Sequence, residues 1–123
     1  MTAIHDLSEE QVQELLSTED IPLSVRTSAP KVVVVLTQSW CSQWIEMLSW
    51  IESFADKALI YQLVYDLRPD FQKLMDFKEE TFANLEIPYL RYYHKGELIV
   101  ESNWLPKNTF AAMLQRDKPF SLK

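Results

Sequence analysis

Glycine is almost missing from this chain: Gly96 is the only one in 123 residues. Turns that need a positive φ must therefore be few or be made by asparagine and aspartate, with Asn84, Asn103 and Asn108 as candidates. Cysteine is equally scarce. Cys41 stands alone, so no internal disulfide can form, in keeping with a reducing compartment. Basic residues are outnumbered, 12 against 18 acidic ones, for a net charge of −6. That balance argues against nucleic acid and anionic membrane as partners, since both demand clustered Lys and Arg. The longest apolar run, Val32 to Leu36, is too short to cross a bilayer. Residues 1–20 are polar and acidic without the pattern of a secretory leader, so the expected location is cytoplasmic. The two histidines, His5 and His94, have no partners at metal-ligand spacing. Neither a metal site nor Cys-His nucleophilic catalysis is expected.

What is present is a substantial core: 47% of residues are apolar and 12% aromatic. The length suits one domain, and there is no repeat, low-complexity tract or flexible linker. Ser8 and Gln11 have capping-box spacing before Val12, Leu15 and Leu16, which predicts a helix over 9–17. Residues 18–30 read as irregular or briefly extended. Lys31 to Thr37 is a β-branched run without polar alternation, the pattern of a strand buried on both faces. A helix over 42–55 follows, with Ile45, Leu48 and Ile51 on its apolar stripe. Residues 59–66 form a second strand candidate. Pro69 can open a helix carrying Phe71, Leu74, Met75 and Phe77, which runs on to Phe82 or Leu85. Residues 89–94 and 97–101 flank Lys95-Gly96 as a hairpin, and 109–116 closes the chain as a helix with Asn108 as N-cap. This order predicts an α/β architecture with a mixed central sheet and helices on both faces.

Trp40-Cys41-Ser42-Gln43-Trp44, a tryptophan and cysteine between strand and helix, is similar to the Trp-Cys-Gly-Pro-Cys motif of thioredoxins. Leu63-Val64-Tyr65-Asp66 with Pro69 resembles the third strand and Asp-x-x-Pro ending of that family. Ile87-Pro88-Tyr89 resembles its Ile-Pro-Thr segment, and Lys95-Gly96-Glu97 its hairpin turn. Over residues 25–116 the chain thus resembles the thioredoxin-like family, with 1–24 as a helical extension of one domain, 1–123. The resemblance implies a cis bond before Pro88 and an Ile87 backbone open to β-type pairing. It also exposes departures. The second cysteine of the family falls at Trp44, the buried acid that assists proton transfer at Val35, its lysine partner at Gln62, and the groove glycine near Trp104. About two helical turns are inserted between Pro69 and Pro88.

Without a resolving thiol, a mixed disulfide on Cys41 persists until an outside thiol attacks it. Thioredoxin-type disulfide reduction is therefore not expected, while monothiol exchange, with glutathione or a client protein, stays open. A helix N-terminus favours a thiolate. No Lys, Arg or His lies within five residues to help, and the indoles of Trp40 and Trp44 oppose it. Two functional readings follow. In the favoured one, the chain is a redox-inactive module that binds a protein or peptide segment in a groove made by Trp40, Trp44, Ile87, Pro88, Tyr89 and Trp104. In the other, Cys41 is a monothiol site. A second copy of the chain is an alternative partner for the aromatic patch. Trp44 has two open readings, groove wall or core filler, and Trp50 is expected to be core or helix packing.

Overall fold

The protein is described from a computed structural model covering residues 4–119. Its centre is a five-stranded sheet of β1 (Ile4–Asp6), β2 (Lys31–Thr37), β3 (Leu59–Val64), β4 (Tyr89–His94) and β5 (Glu97–Ser102). The strand order is β1-β3-β2-β4-β5. β3 runs parallel to both β1 and β2, whereas β4 is antiparallel to β2 and to β5. This is the expected mixed α/β sheet.

β2 explains the layering. Val33 and Val35 enter one core cluster, and Val32, Val34 and Leu36 enter the other. A strand whose successive residues from Val32 to Leu36 are all apolar must be covered on both faces. The first face is covered by α3 (Ser42–Ile51) and α5 (Lys107–Leu114) through Met47, Ile51, Phe110 and Leu114. The second is covered by α1 (Glu9–Thr18), α2 (Leu23–Arg26) and α4 (Phe71–Asp76) through Val12, Leu15, Val25 and Leu74. Ser8 and Gln11 close the capping box of α1 with bonds of 3.1 and 2.8 Å. Gly96 sits at φ +84°, and a Cβ there would lie 2.8 Å from Thr27 Cγ2, so both backbone and space call for glycine.

Several elements differ from the sequence reading. β1 pairs with β3, so the amino-terminal segment is part of the sheet rather than appended to it. With three residues, two of them polar, it carries no periodic signal. α2 is a single turn within the segment read as irregular, too short for a helical period to show. α3 gives way to a 3₁₀ turn at Glu52–Phe54. α5 starts at Lys107 with Pro106, not Asn108, at the cap. The Pro106 carbonyl accepts from Phe110 N–H at 2.9 Å, and a fixed proline φ suits that boundary. Among the described residues, the positive-φ positions besides Gly96 are Glu19, Ala83 and Lys95, none of them asparagine. Finally, the long helix expected after Pro69 ends at Asp76 and widens into a π-helical turn, Phe77–Thr81. Phe82 N–H reaches back to the Phe77 carbonyl at 3.3 Å, and the two rings pack edge to face, 4.6 Å apart.

Candidate functional site

Because β1, β2 and β3 are parallel, β4 is antiparallel to β2 and β5 is antiparallel to β4, five chain connections fall at one end of the sheet. They are residues 7–8, 38–41, 65–70, 82–88 and 103–106. Every sequence-predicted site residue lies at this end. His94 lies at the other, paired with Lys31 at the start of β2, and contacts Asp117.

Cys41 is the N-cap of α3. Its Sγ accepts a hydrogen bond from Trp44 N–H at 3.4 Å, and the residue is only 4% exposed. The thiol is therefore turned under the helix end and packs in the core cluster with Val35, Trp44 and Leu90. Trp44 is also buried, at 3%, which corrects its assignment to a groove wall. An indole is apolar over most of its surface and needs one acceptor for its N–H. Gln62 supplies that acceptor: Trp44 Nε1 donates to Gln62 Oε1 at 3.1 Å, while Gln62 Nε2 donates to Asp6 Oδ1 at 3.0 Å. Val35 is the register partner of Gln62 on the adjacent strand. Two positions where the resemblance expects a thiol and a lysine thus form a tryptophan–glutamine pair, beside a valine in place of the acid.

Trp40, one residue before the thiol, is outside the core. It is 66% exposed, and its Nε1 donates to Gln38 Oε1 at 2.7 Å. The neighbouring loops are tied together by Asp66, which accepts from Ser39 N–H at 2.8 Å and from the Ser39 hydroxyl at 2.6 Å. The Ser39 hydroxyl bond holds the Asp66 carboxyl below its ordinary range. Asp70 is held low in the same way by Arg68, which bridges Asp70 and Glu9.

The Ile87–Pro88 peptide bond is cis. The loop leading to it is fastened by Asn103, a residue that sequence reasoning treated only as a turn candidate. Asn103 Nδ2 donates to Asn84 Oδ1 at 2.9 Å, to the Glu86 carbonyl at 3.2 Å and to the Pro88 carbonyl at 3.0 Å. Asn84 Nδ2 returns a bond to Asn103 Oδ1 at 3.0 Å. Lys78, buried in the π-helical turn, donates to the Asn84 carbonyl at 2.8 Å, and burial lowers its pKa. The flanking groups are thus taken, yet among the described residues nothing bonds the Ile87 N–H or C=O.

Pro88 and Tyr89 are both buried, so neither offers its side chain as groove surface. Tyr89 instead points into the second core, where its hydroxyl meets Glu101 and Arg91. Arg91 is a buried guanidinium resting on the Phe82 ring at 3.9 Å and donating to the Tyr93 and Tyr89 hydroxyls, each at 2.8 Å. On the opposite side, Trp104 is 38% exposed, and its Nε1 donates to Glu46 Oε1 at 2.7 Å. Trp50 Nε1 takes Glu46 Oε2 at 2.8 Å while its ring packs on Phe110 and Phe54. Trp50 is therefore a helix-packing residue, as read from the sequence. Sequence reasoning missed Asn103, Gln38 and Glu46, since single polar residues in loops and helices carry no periodic mark.

The strand order, the helix opening at a cysteine and the hairpin after Pro88 together define a thioredoxin fold. No known family profile matches the sequence, and no curated protein matches it. Solved structures do match. A mutant thioredoxin from Halobacterium salinarum NRC-1 superposes with a TM-score of 0.64 at 12% identity, covering 97% of this chain and 94% of that one. Thioredoxin O2 from Arabidopsis thaliana gives 0.63 at 18% identity, over 95% and 96% of the two chains. Thioredoxin NaTrxh from Nicotiana alata gives 0.65 at 14%, over 95% and 94%. The chain has their fold, with a single cysteine that is buried. No described helix is long and apolar enough to cross a membrane.

Proposed function

We propose that the chain is a protein-binding module built on a thioredoxin fold, without disulfide reductase chemistry, which holds an extended polypeptide segment beside Ile87. The observation that carries this reading is the sealing of the thiol. Cys41 is 4% exposed and bonded to Trp44 N–H, while Trp40 and Trp104 stand exposed at the same end. An attacking thiolate must approach a disulfide sulfur in line, and a buried sulfur cannot. A segment laid along the open Ile87 backbone can pair with it as an added strand, and exposed indoles are good anchors for its side chains. The lone thiol suits a reducing compartment such as the cytoplasm.

A second reading has one observation in its favour: the Cys41 sulfur stands at the start of α3 and accepts the Trp44 N–H there. In that reading the Cys41 thiolate attacks oxidised glutathione, a mixed disulfide forms, and one glutathione thiolate leaves. Incubation of the native protein with oxidised glutathione, followed by intact mass, separates the two. The binding module stays unmodified until urea unfolds it. Rapid adduct formation on the folded protein would overturn the proposal in favour of monothiol exchange.

A further inference from the structure

We infer that the segment held at this end is cationic and apolar, with lysine or arginine interleaved among aliphatic residues. The inference rests on the binding reading above and adds the chemistry of the occupant.

Two features point to it. The first is where exposed apolar side chains lie. Five of the seven exposed large apolar side chains among the described residues, Trp40, Ile45, Leu67, Leu85 and Trp104, belong to the loops or first helical turn at this end; Leu23 and Leu48 lie elsewhere. Large apolar side chains gathered on one surface mark an interaction face. The second is charge. Asp66, Glu79, Glu80 and Glu86 belong to the loops and the π-helical turn that border the face. Glu79 and Asp66 act electrostatically on Tyr65, and Glu79 and Glu86 on Lys78, so these acids share one neighbourhood. Two of the cations among them are already committed: Arg68 is held between Glu9 and Asp70, and the buried Lys78 ammonium bonds the Asn84 carbonyl. Lys73, exposed on α4, and Lys107, at the start of α5, stand against the four acids. The bordering charge is therefore negative, and the partner that complements it is positive. A second copy of this chain, with net charge −6, would bring like charges together and is a poor occupant.

The test uses three labelled peptides of one length, alternating leucine with lysine, glutamine or glutamate, and fluorescence anisotropy at low and high salt. The lysine peptide is expected to bind at least about tenfold more tightly than the glutamate peptide, the preference shrinking as salt screens it. The double variant Glu79→Gln/Glu86→Gln, checked for an unchanged melting temperature, is expected to lose about three- to tenfold in affinity for the lysine peptide alone. Equal binding of all three peptides would overturn the charge inference while leaving the groove intact. No binding by any peptide would overturn the groove and the inference together. A dimer that dissociates on Trp104→Ala would place a second copy on this face and also overturn the inference.

Discussion

Trp44 offers the sharpest test of how the site closed. A buried tryptophan removes about 200 Å² of surface from water, worth roughly 5 kcal/mol at about 25 cal/mol per Å². Truncation leaves a cavity beneath the helix start, and Trp→Ala in cores costs about 3–5 kcal/mol. Trp44→Ala also removes the donor to Gln62 Oε1, whose remaining tie is its own amide to Asp6. That adds about 1 kcal/mol, at the low end because Gln62 is half-buried. The expected loss is about 4–5 kcal/mol, a large part of the ~5–15 kcal/mol that holds a domain folded. Trp44→Phe keeps most of the ring and loses the N–H, so about 2 kcal/mol is expected. Urea unfolding followed by far-ultraviolet circular dichroism reads both. With an m-value of about 2 kcal/mol/M, midpoints fall by about 2 M and about 1 M with m unchanged. A Trp44→Ala midpoint within about 0.5 M of wild type would refute the placement of this indole in the core.

Three further outcomes follow from the geometry. Arg91→Ala strips the partner from two buried phenols and from Glu101, and is expected to cost about 3–5 kcal/mol in urea unfolding; a cost below about 1 kcal/mol would contradict the network. Asn103→Ala frees the Pro88 and Glu86 carbonyls from their side-chain donor, and should weaken peptide binding by more than tenfold for a stability loss of about 1–3 kcal/mol; unchanged affinity would detach this loop from the site. The Asp66 and Asp70 carboxyls are held below their ordinary values by Ser39 and Arg68. Their stabilisation is thus fully present above the unfolded value near 3.9 and is lost as pH falls through the lower folded values. Asp66→Asn should accordingly lower stability at pH 7 and lose that difference in strong acid; equal destabilisation at all pH values would argue against the Ser39 tie.

The sheet was legible because its signals are continuous. β2 is apolar without a break from Val32 to Leu36, and the hairpin is marked by Lys95-Gly96 between two β-rich runs. The register then follows, and with it the placement of Cys41, Pro88 and Trp104 at one end. What was not legible depends on short elements and on side-chain direction. β1 and α2 hold three and four residues, below any period. Neither Trp40 nor Trp44 declares from sequence which way its ring turns; Trp40, in the turn before the Cys41 cap, stands outward, and the first turn of α3 carries Trp44 onto Gln62. Tyr89 shows the same effect, since strand alternation puts its ring on the Arg91 side, in the second core. The π-helical turn replaces a regular helix where Phe82 and Lys78 are drawn in toward the core and the Asn84 carbonyl.

The central claim is that this thioredoxin fold has sealed its single thiol and keeps the surrounding surface for binding. The most direct measurement is the rate of Cys41 alkylation in the folded protein, followed across a series of urea concentrations below the unfolding midpoint. If the thiol reacts only on unfolding, the rate in buffer is suppressed by orders of magnitude and rises with urea in step with the global unfolding equilibrium. A native rate within about tenfold of the unfolded one, flat across urea, would show an open thiol and contradict the account.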